Sequence, residues 1–226
     1  MRLPGDGLVD AGDGEMTRPR LLDLFCCQGG AGMGYYRAGF EVVGIDIVLQ
    51  PRYPFEFHQA DALEYLAEHG HEFDAIHASP PCQAYTLAGQ QWRAEGKAYP
   101  DMIATTRELL LSIGKPYVIE NVPSAPLINP TILNGLFFGM NVRRTRLFET
   151  SFHIPFILLP KEGASHSKMG RPPKKDDPIV PVGHFSNIPR ARREMGCEWM
   201  NGKGLTQAIP PAYTEWIGAR LMEGLR

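Results

Sequence analysis

The sequence predicts a doubly wound α/β fold, a mostly parallel sheet with helices on both faces, and three observations carry that expectation. Apolar, strand-like runs recur at residues 21–25, 41–47, 73–78 and 117–119. The first passes directly into a glycine cluster, Gly29, Gly30 and Gly32, followed by a helix-like stretch at 33–38. The third and fourth are broken by prolines, at Pro80 and Pro81 and at Pro123. Proline fixes φ and removes a ladder donor, so both strands must end there.

Each element also suggests a role. Glycines after a strand allow a tight turn and close approach of the backbone to a ligand, with amides at the helix start facing it. The same pattern fits a simple connecting turn. The following run favours the ligand reading, because it delivers Asp46 about 20 residues after the turn, where an acid takes ribose hydroxyls. Asp61 follows a further strand-like segment at 57–60 and suits an exocyclic amine. Together these residues describe a nucleoside pocket.

Residues 79–83 read Ser-Pro-Pro-Cys-Gln. The proline stop presents the thiol of Cys82 at the carboxyl edge of the sheet, where open α/β sheets bind their ligands. A thiol there is a candidate nucleophile, although most free cysteines are small buried hydrophobes. The run at 117–119 delivers Glu120 and Asn121 to the same edge. An acid on an apolar strand is costly to bury unless paired or protonated, which makes Glu120 a candidate acid rather than a cap. Arg144 and Arg146 alternate on one face of a strand-like run at 141–148. Arginines so spaced are usually a solvated face, but a planar guanidinium also holds a base edge or a phosphate.

Taken in order, these segments resemble the cytosine-5 DNA methyltransferase family. The glycine turn, Ser-Pro-Pro-Cys-Gln at 79–83, Glu-Asn-Val at 120–122 and Arg-Thr-Arg at 144–146 match its main motifs. Leu-Thr-Gln-Ala-Ile-Pro-Pro at 205–211 looks like its closing motif, which returns beside the glycine turn. The resemblance spans residues 20 to about 220 and implies a Rossmann-like methyltransferase sheet. It implies S-adenosylmethionine as cofactor, S-adenosylhomocysteine as product, no metal, and a flipped cytosine in double-stranded DNA as acceptor.

The catalytic residues it implies are Cys82, Glu120, Arg144 and Arg146. Those at the cofactor are Phe25, Gly29, Gly30, Asp46, Asp61, Ala62, Pro81, Gln207 and Ala208. DNA contact falls to Gln83, Thr86, Lys174, Lys175, Arg190 and Arg192, beneath a mobile loop at 83–99. Four positions depart from the family pattern: Cys27 replaces a glycine, Thr86 a serine, Val142 a glutamine, and Thr206 with Gln207 a Gly-Asn pair. An RNA cytosine methyltransferase and a catalytically inactive DNA-binding relative are the alternatives, the first because one branch of the family modifies transfer RNA and the second because the motif departures fit decay.

Composition agrees with this reading. With 43% hydrophobic residues, 226 residues can bury one main core. No apolar run is long enough to span a bilayer, and a secretory pattern is missing at the start. The four cysteines lack disulfide or metal-ligand spacing, which suggests a reducing, cytoplasmic setting. A monomer is expected. The expected organisation is a Gly- and Asp-rich disordered leader at 1–17, a catalytic and cofactor-binding core at 18–150, a reduced target-recognition region at 151–189 and a C-terminal segment at 190–226 that completes the core.

The net charge of −2 divides unevenly. Residues 140–203 hold 12 lysines and arginines against 6 acids, while the remainder holds 11 against 19. A basic face on an otherwise acidic protein is the footprint expected for phosphate contact. A recognition region of roughly 40 residues is too small for the base-edge contacts of a long site, so a target of about two to four base pairs is expected. Binding measured against salt should fall steeply, and changing Lys174 and Lys175 to alanine should weaken it similarly on all DNA sequences. Methylation confined to a six-base-pair site would contradict this expectation.

Overall fold

The computed structural model describes residues 17–86, 101–155, 177–181 and 187–225. Among them are seven strands: β1 (Arg20–Leu24), β2 (Glu41–Asp46), β3 (Glu56–Gln59), β4 (Ala75–Ala78), β5 (Tyr117–Asn121), β6 (Thr131–Leu133) and β7 (Arg146–Thr150). They form one sheet in the order β3-β2-β1-β4-β5-β7-β6. The first five are parallel, and β7 enters antiparallel between β5 and β6. Six helices accompany them: α1 (Gly30–Ala38), α2 (Ala62–His69), α3 (Met102–Ile113), α4 (Ile188–Met195), α5 (Gly202–Gln207) and α6 (Pro211–Gly224).

The central strands are apolar on both faces because helices cover both. Leu21, Val42, Ala75 and Val118 pack on one side with Tyr35 of α1 and Tyr213, Ile217 and Leu221 of α6. Leu22, Leu24, Val43, Ile45, Ile76 and Ile119 pack on the other with Leu66 of α2 and Leu110 of α3. A third cluster joins Val142 and Ile179 to α4 and α5. Period-two alternation also puts Asp23, His77 and Glu120 on the α1 and α6 face, near the carboxyl edge.

The turn after β1 has a contorted backbone. Phe25, Cys27 and Gly29 have φ of 58°, 46° and 77°. Only glycine adopts that left-handed region without steric cost. Cys27 therefore carries strain at the position where the resembled family has glycine.

Two expectations change. The first helix begins at Gly30 rather than residue 33, because the left-handed Gly29 caps it and Gly30, Gly32 and Gly34 lie against protein atoms too close for side chains. The strand expected at 141–148 starts only at Arg146. The preceding residues pair instead with Ile179, whose N–H donates to the Asn141 carbonyl and whose carbonyl accepts from Arg143 N–H. Arg144 and Arg146 consequently do not share a strand face. Residues 1–16, most of the expected mobile loop, and most of the expected recognition region, including Lys174 and Lys175, lie outside the described residues.

Asp23 is a buried acid in the middle of the core. It accepts from the Tyr53 hydroxyl at 3.1 Å, and Gly44 on the neighbouring strand leaves the space that the Tyr53 ring occupies. Burial pushes its carboxyl up to about 7, against the hydrogen bonds from Tyr53 and the Gly32 amide. An acid raised in the folded state favours folding below its unfolded pKa and loses that contribution as pH rises to its folded pKa. Asp23 should therefore destabilise the fold progressively between about pH 4 and 7, by roughly 1.4 kcal/mol per pH unit at most. Asp23→Asn should raise the thermal midpoint at pH 8 more than at pH 5. Equal shifts at the two pH values would show that Asp23 is ionised throughout.

Candidate active site

Cys82, Glu120 and Arg146 converge at the carboxyl edge of β4 and β5. The end of β4 is fixed by Ser79, whose N–H donates to the Leu24 carbonyl at 3.2 Å. Beyond the prolines the chain turns on Cys82, whose carbonyl accepts from the Tyr85 and Thr86 amides. Asn121 anchors this loop to the end of β5, donating from Nδ2 to the Pro80 carbonyl at 2.9 Å. Ser124 adds a second tie, its hydroxyl donating to the Tyr85 carbonyl at 2.7 Å. Asn121 is therefore a fastener between the thiol and the acid.

Glu120 lies on β5 opposite Phe148 of β7, and Arg146 lies diagonally across, two residues earlier on the same face. Arg146 Nε is 2.9 Å from Glu120 Oε1. The N–H is not aimed at that oxygen, which is buried without a hydrogen-bond donor. The contact is thus an ion pair without a directed hydrogen bond to that oxygen. Burial raises the Glu120 carboxyl above its usual range, with Arg146 and then Arg144 opposing. Burial also raises the Cys82 thiol, opposed chiefly by Arg146 and reinforced by Glu120. One guanidinium is therefore electrostatically coupled to both groups.

Arg144 is built differently. Only 2% exposed, it donates from Nη1 to the Pro181 carbonyl and from Nη2 to the Thr206 carbonyl, each at 2.7 Å. Its own carbonyl accepts from the Tyr213 hydroxyl. Burial lowers its guanidinium to about 9, so it remains charged at neutral pH. It pins α5 and α6 behind the site while its charge reaches Cys82 and Glu120.

Of the residues expected at a cofactor, Phe25, Gly29, Gly30, Asp46 and Ala208 gather around the glycine turn. Asp46 accepts from Cys27 N–H at 3.0 Å and Val48 N–H at 2.9 Å, so it organises the turn it borders. A side chain at Gly30 would strike the Ile209 carbonyl, which shows how tightly the 205–211 segment closes on this turn. Gln28 seals the approach with a reciprocal pair to Asn201 and accepts at its carbonyl from Trp199. The start of α1 carries no side-chain cap, and with the Gly32 amide taken by Asp23 the Gly30 and Ala31 amides face a ligand. The exposed Ile47 follows Asp46 and offers an apolar surface beside it. These features fit a nucleoside cofactor.

Asp61 caps α2, accepting from the Leu63 and Glu64 amides through Oδ1, with Ala62 buried beside it. Pro81 and Gln207 are exposed. Of the residues expected at DNA, Gln83 is exposed and Thr86 half-buried on the Cys82 turn. Arg190 donates to the Asp177 carbonyl and Arg192 to the Met200 carbonyl, so both guanidinium groups brace neighbouring loops. Arg193 on the same helix is the more exposed. Among the described residues, no group of three or more histidines, cysteines and acids could hold a metal, and no helix is long and apolar enough to cross a membrane.

Sequence reasoning missed the residues behind the site. His77 reads as one polar residue in an apolar strand, yet its Nδ1 is 3.0 Å from the Tyr35 hydroxyl and its Nε2 is 2.8 Å from Ser79 Oγ. The one signal was a histidine two residues ahead of the Ser-Pro-Pro-Cys motif, at a position of the same alternation phase.

No model of a known protein family matches the chain. A curated relative, the Type II methyltransferase M.HgiDI of Herpetosiphon aurantiacus, is 31% identical over 121 residues, covering 48% of this chain and 38% of that protein. The chain thus matches less than half the length of this relative. Two solved structures share the fold: the Entamoeba histolytica methyltransferase EhMeth, with a TM-score of 0.63, and the S. pombe Dnmt2 methyltransferase, with 0.58. Each is 13% identical, and each superposition covers 93% of this chain and 100% of the other. Motifs, relative and fold agree: the chain has the Rossmann-like methyltransferase fold and resembles the cytosine-5 DNA methyltransferases.

Proposed function

We propose that this chain methylates C5 of cytosine in double-stranded DNA, using S-adenosylmethionine, as a monomer acting on a short target. The carrying observation is the convergence of Cys82, Glu120 and Arg146 at one sheet edge, with the Glu120 carboxyl buried and one of its oxygens lacking a hydrogen-bond donor. The relative named as a Type II methyltransferase supports the same reading.

Cytosine C5 is a poor nucleophile, and the site answers that difficulty. The thiolate of Cys82 adds to C6, placing electron density on C5 and N3. Glu120, favoured in its protonated form by burial, holds its proton toward N3 and stabilises the adduct as charge develops. Arg146 steadies the ring carbonyl and the Glu120 carboxyl. Bound S-adenosylmethionine supplies an electrophilic methyl group, held at the glycine turn, Asp46 and the 205–211 segment, with Asp61 toward the adenine amine. Once C5 is alkylated, loss of its proton returns the electrons that expel Cys82. A base inside a duplex stack cannot reach the thiol, so the target nucleotide is flipped out.

Cys82→Ser should abolish turnover while leaving cofactor affinity within about twofold. DNA carrying 5-fluorocytosine should trap the unaltered protein as a denaturation-resistant complex, because fluorine cannot leave as a proton does. Methyl transfer to cytosine without trapping would remove the covalent step, and label appearing in RNA but not DNA would change the acceptor.

The cofactor pocket has its own test. Asp46→Ala should weaken S-adenosylmethionine binding by about 1.5–3 kcal/mol, typical of hydrogen bonds to a charged group. Calorimetry showing unchanged affinity in both Asp46→Ala and Asp61→Ala would place the nucleoside elsewhere.

A further inference from the structure

Behind Glu120 lies a row of polar side chains that the proposed reaction does not use. His77 is opposite Asp23 on β1 and Val118 on β5. Extending the β4 and β5 register by two residues places Ser79 beside Glu120, and a Ser79 side-chain hydrogen bond opposes the burial that raises that carboxyl. The His77 ring is fully buried, with the Tyr35 hydroxyl at 3.0 Å from Nδ1 and Ser79 Oγ at 2.8 Å from Nε2. Tyr35 is itself fully buried on α1.

We propose that Tyr35, His77 and Ser79 form a fixed hydrogen-bond chain that positions and polarises Glu120 from the side away from the substrate. The inference rests on the cytosine-5 reading for its catalytic consequence, but not for its effect on Glu120. An ionised Glu120 sets the direction of the chain, because it takes the Ser79 hydroxyl proton and so leaves Ser79 Oγ to accept from His77. Burial holds the imidazole neutral, with its pKa lowered to about 3, so one ring nitrogen donates and the other accepts. The buried Tyr35 hydroxyl donates to Nδ1. His77 Nε2–H then donates to Ser79 Oγ, which leaves the Ser79 hydroxyl proton for the Glu120 carboxyl. A one-way chain of donors strengthens its last bond, because each link polarises the next. The chain thus favours the anionic form of Glu120, counter to desolvation, and fixes the plane of the carboxyl. These three are positioning residues, since none reaches the substrate.

The other groups acting on Glu120 are Arg146 and Arg144, with Cys82, Cys27, Tyr35 and Tyr213 feeling its charge. All but Tyr35 are untouched in the decisive variants. Glu120 ionisation can be followed by carbon-13 NMR of glutamate-labelled protein, with Glu120→Gln to assign the signal. Ser79→Ala should move the Glu120 titration to higher pH, whereas Ser79→Thr, which keeps the hydroxyl, should leave it in place. Tyr35→Phe should move it in the same direction by less, although it removes an atom two side chains away. Because the reaction uses the protonated acid, the alkaline limb of the single-turnover pH profile should move to higher pH in Ser79→Ala and return in Ser79→Thr, with cofactor affinity and DNA KM unchanged.

An unmoved Glu120 titration in folded Ser79→Ala overturns the chain, whatever the enzyme's activity. Should Ser79→Ala fail to fold, Tyr35→Phe decides by the same readout. A titration that shifts as expected, in a protein that never traps 5-fluorocytosine DNA, supports the chain and removes the cytosine-5 reading instead.

Discussion

The constraint on which the site depends is the burial of the Glu120 carboxyl at the end of a central strand. Taking a carboxylate out of water costs several kcal/mol unless charge and hydrogen bonds replace the solvent. The neighbouring acid on β7 shows what full compensation looks like. Glu149, also buried, takes two hydrogen bonds of 2.7 Å from Arg107 of α3 and a third from Ile128 N–H. That closed arrangement secures α3 and the 126–128 segment to the sheet. Glu120 has an arginine at a similar distance, but without a donor aimed at Oε1. Two acid–arginine pairs on adjacent strands thus differ in one respect: the second leaves a buried acceptor without a donor, at an energetic cost the rest of the fold must offset.

Much of that offset comes from ties that carry no charge of their own. Asn121, Ser124 and the Cys82 turn lock the proline loop to β5 through backbone carbonyls, so the thiol and the acid are held by separate hydrogen bonds rather than by each other. On the far side Arg144 gathers Pro181, Thr206 and Tyr213, elements separated by up to 69 residues in sequence. A guanidinium is suited to this because its planar fork satisfies two carbonyls at once and remains charged even when burial lowers it to about 9. The positive charge is thereby fixed near Glu120 and Cys82 at no cost in side-chain freedom when substrate arrives.

How much of this was legible in the sequence follows from the range of the interactions. Strand ends were readable because prolines and glycines act locally: Ser79, Cys82, Asp46 and Glu120 all sit at strand ends that a neighbouring residue enforces. The arginine pair was not, since the partner that draws residues 141–143 out of the sheet is Ile179, and pattern alone gave Arg144 and Arg146 one face. Tyr35 and His77 are 42 residues apart and each reads as ordinary core. The strained turn is an intermediate case. Cys27 could be seen to replace a glycine, but its φ of 46° is what shows that the family's glycine answers a backbone requirement as well as a need for space.

The electrostatics of the site also select among its ionisation states. Desolvation disfavours charge on both Cys82 and Glu120, while Arg146 favours charge on both and the two disfavour each other. A nearby guanidinium can offset one anion much more readily than two at such short range, so the low-energy arrangement holds a single negative charge beside the cation. The chemistry proposed here needs that charge on sulfur and the proton on the Glu120 carboxyl: thiolate at C6, carboxylic acid at N3. The opposite arrangement, thiol and carboxylate, is inert toward C6. Which of the two the protein holds is decided by small terms around Glu120, and a ring nitrogen hydrogen-bonded to the carboxyl would tip the balance by sharing its proton as the sulfur attacks. A site with Glu120 closed like Glu149 would be more stable and could not make that exchange.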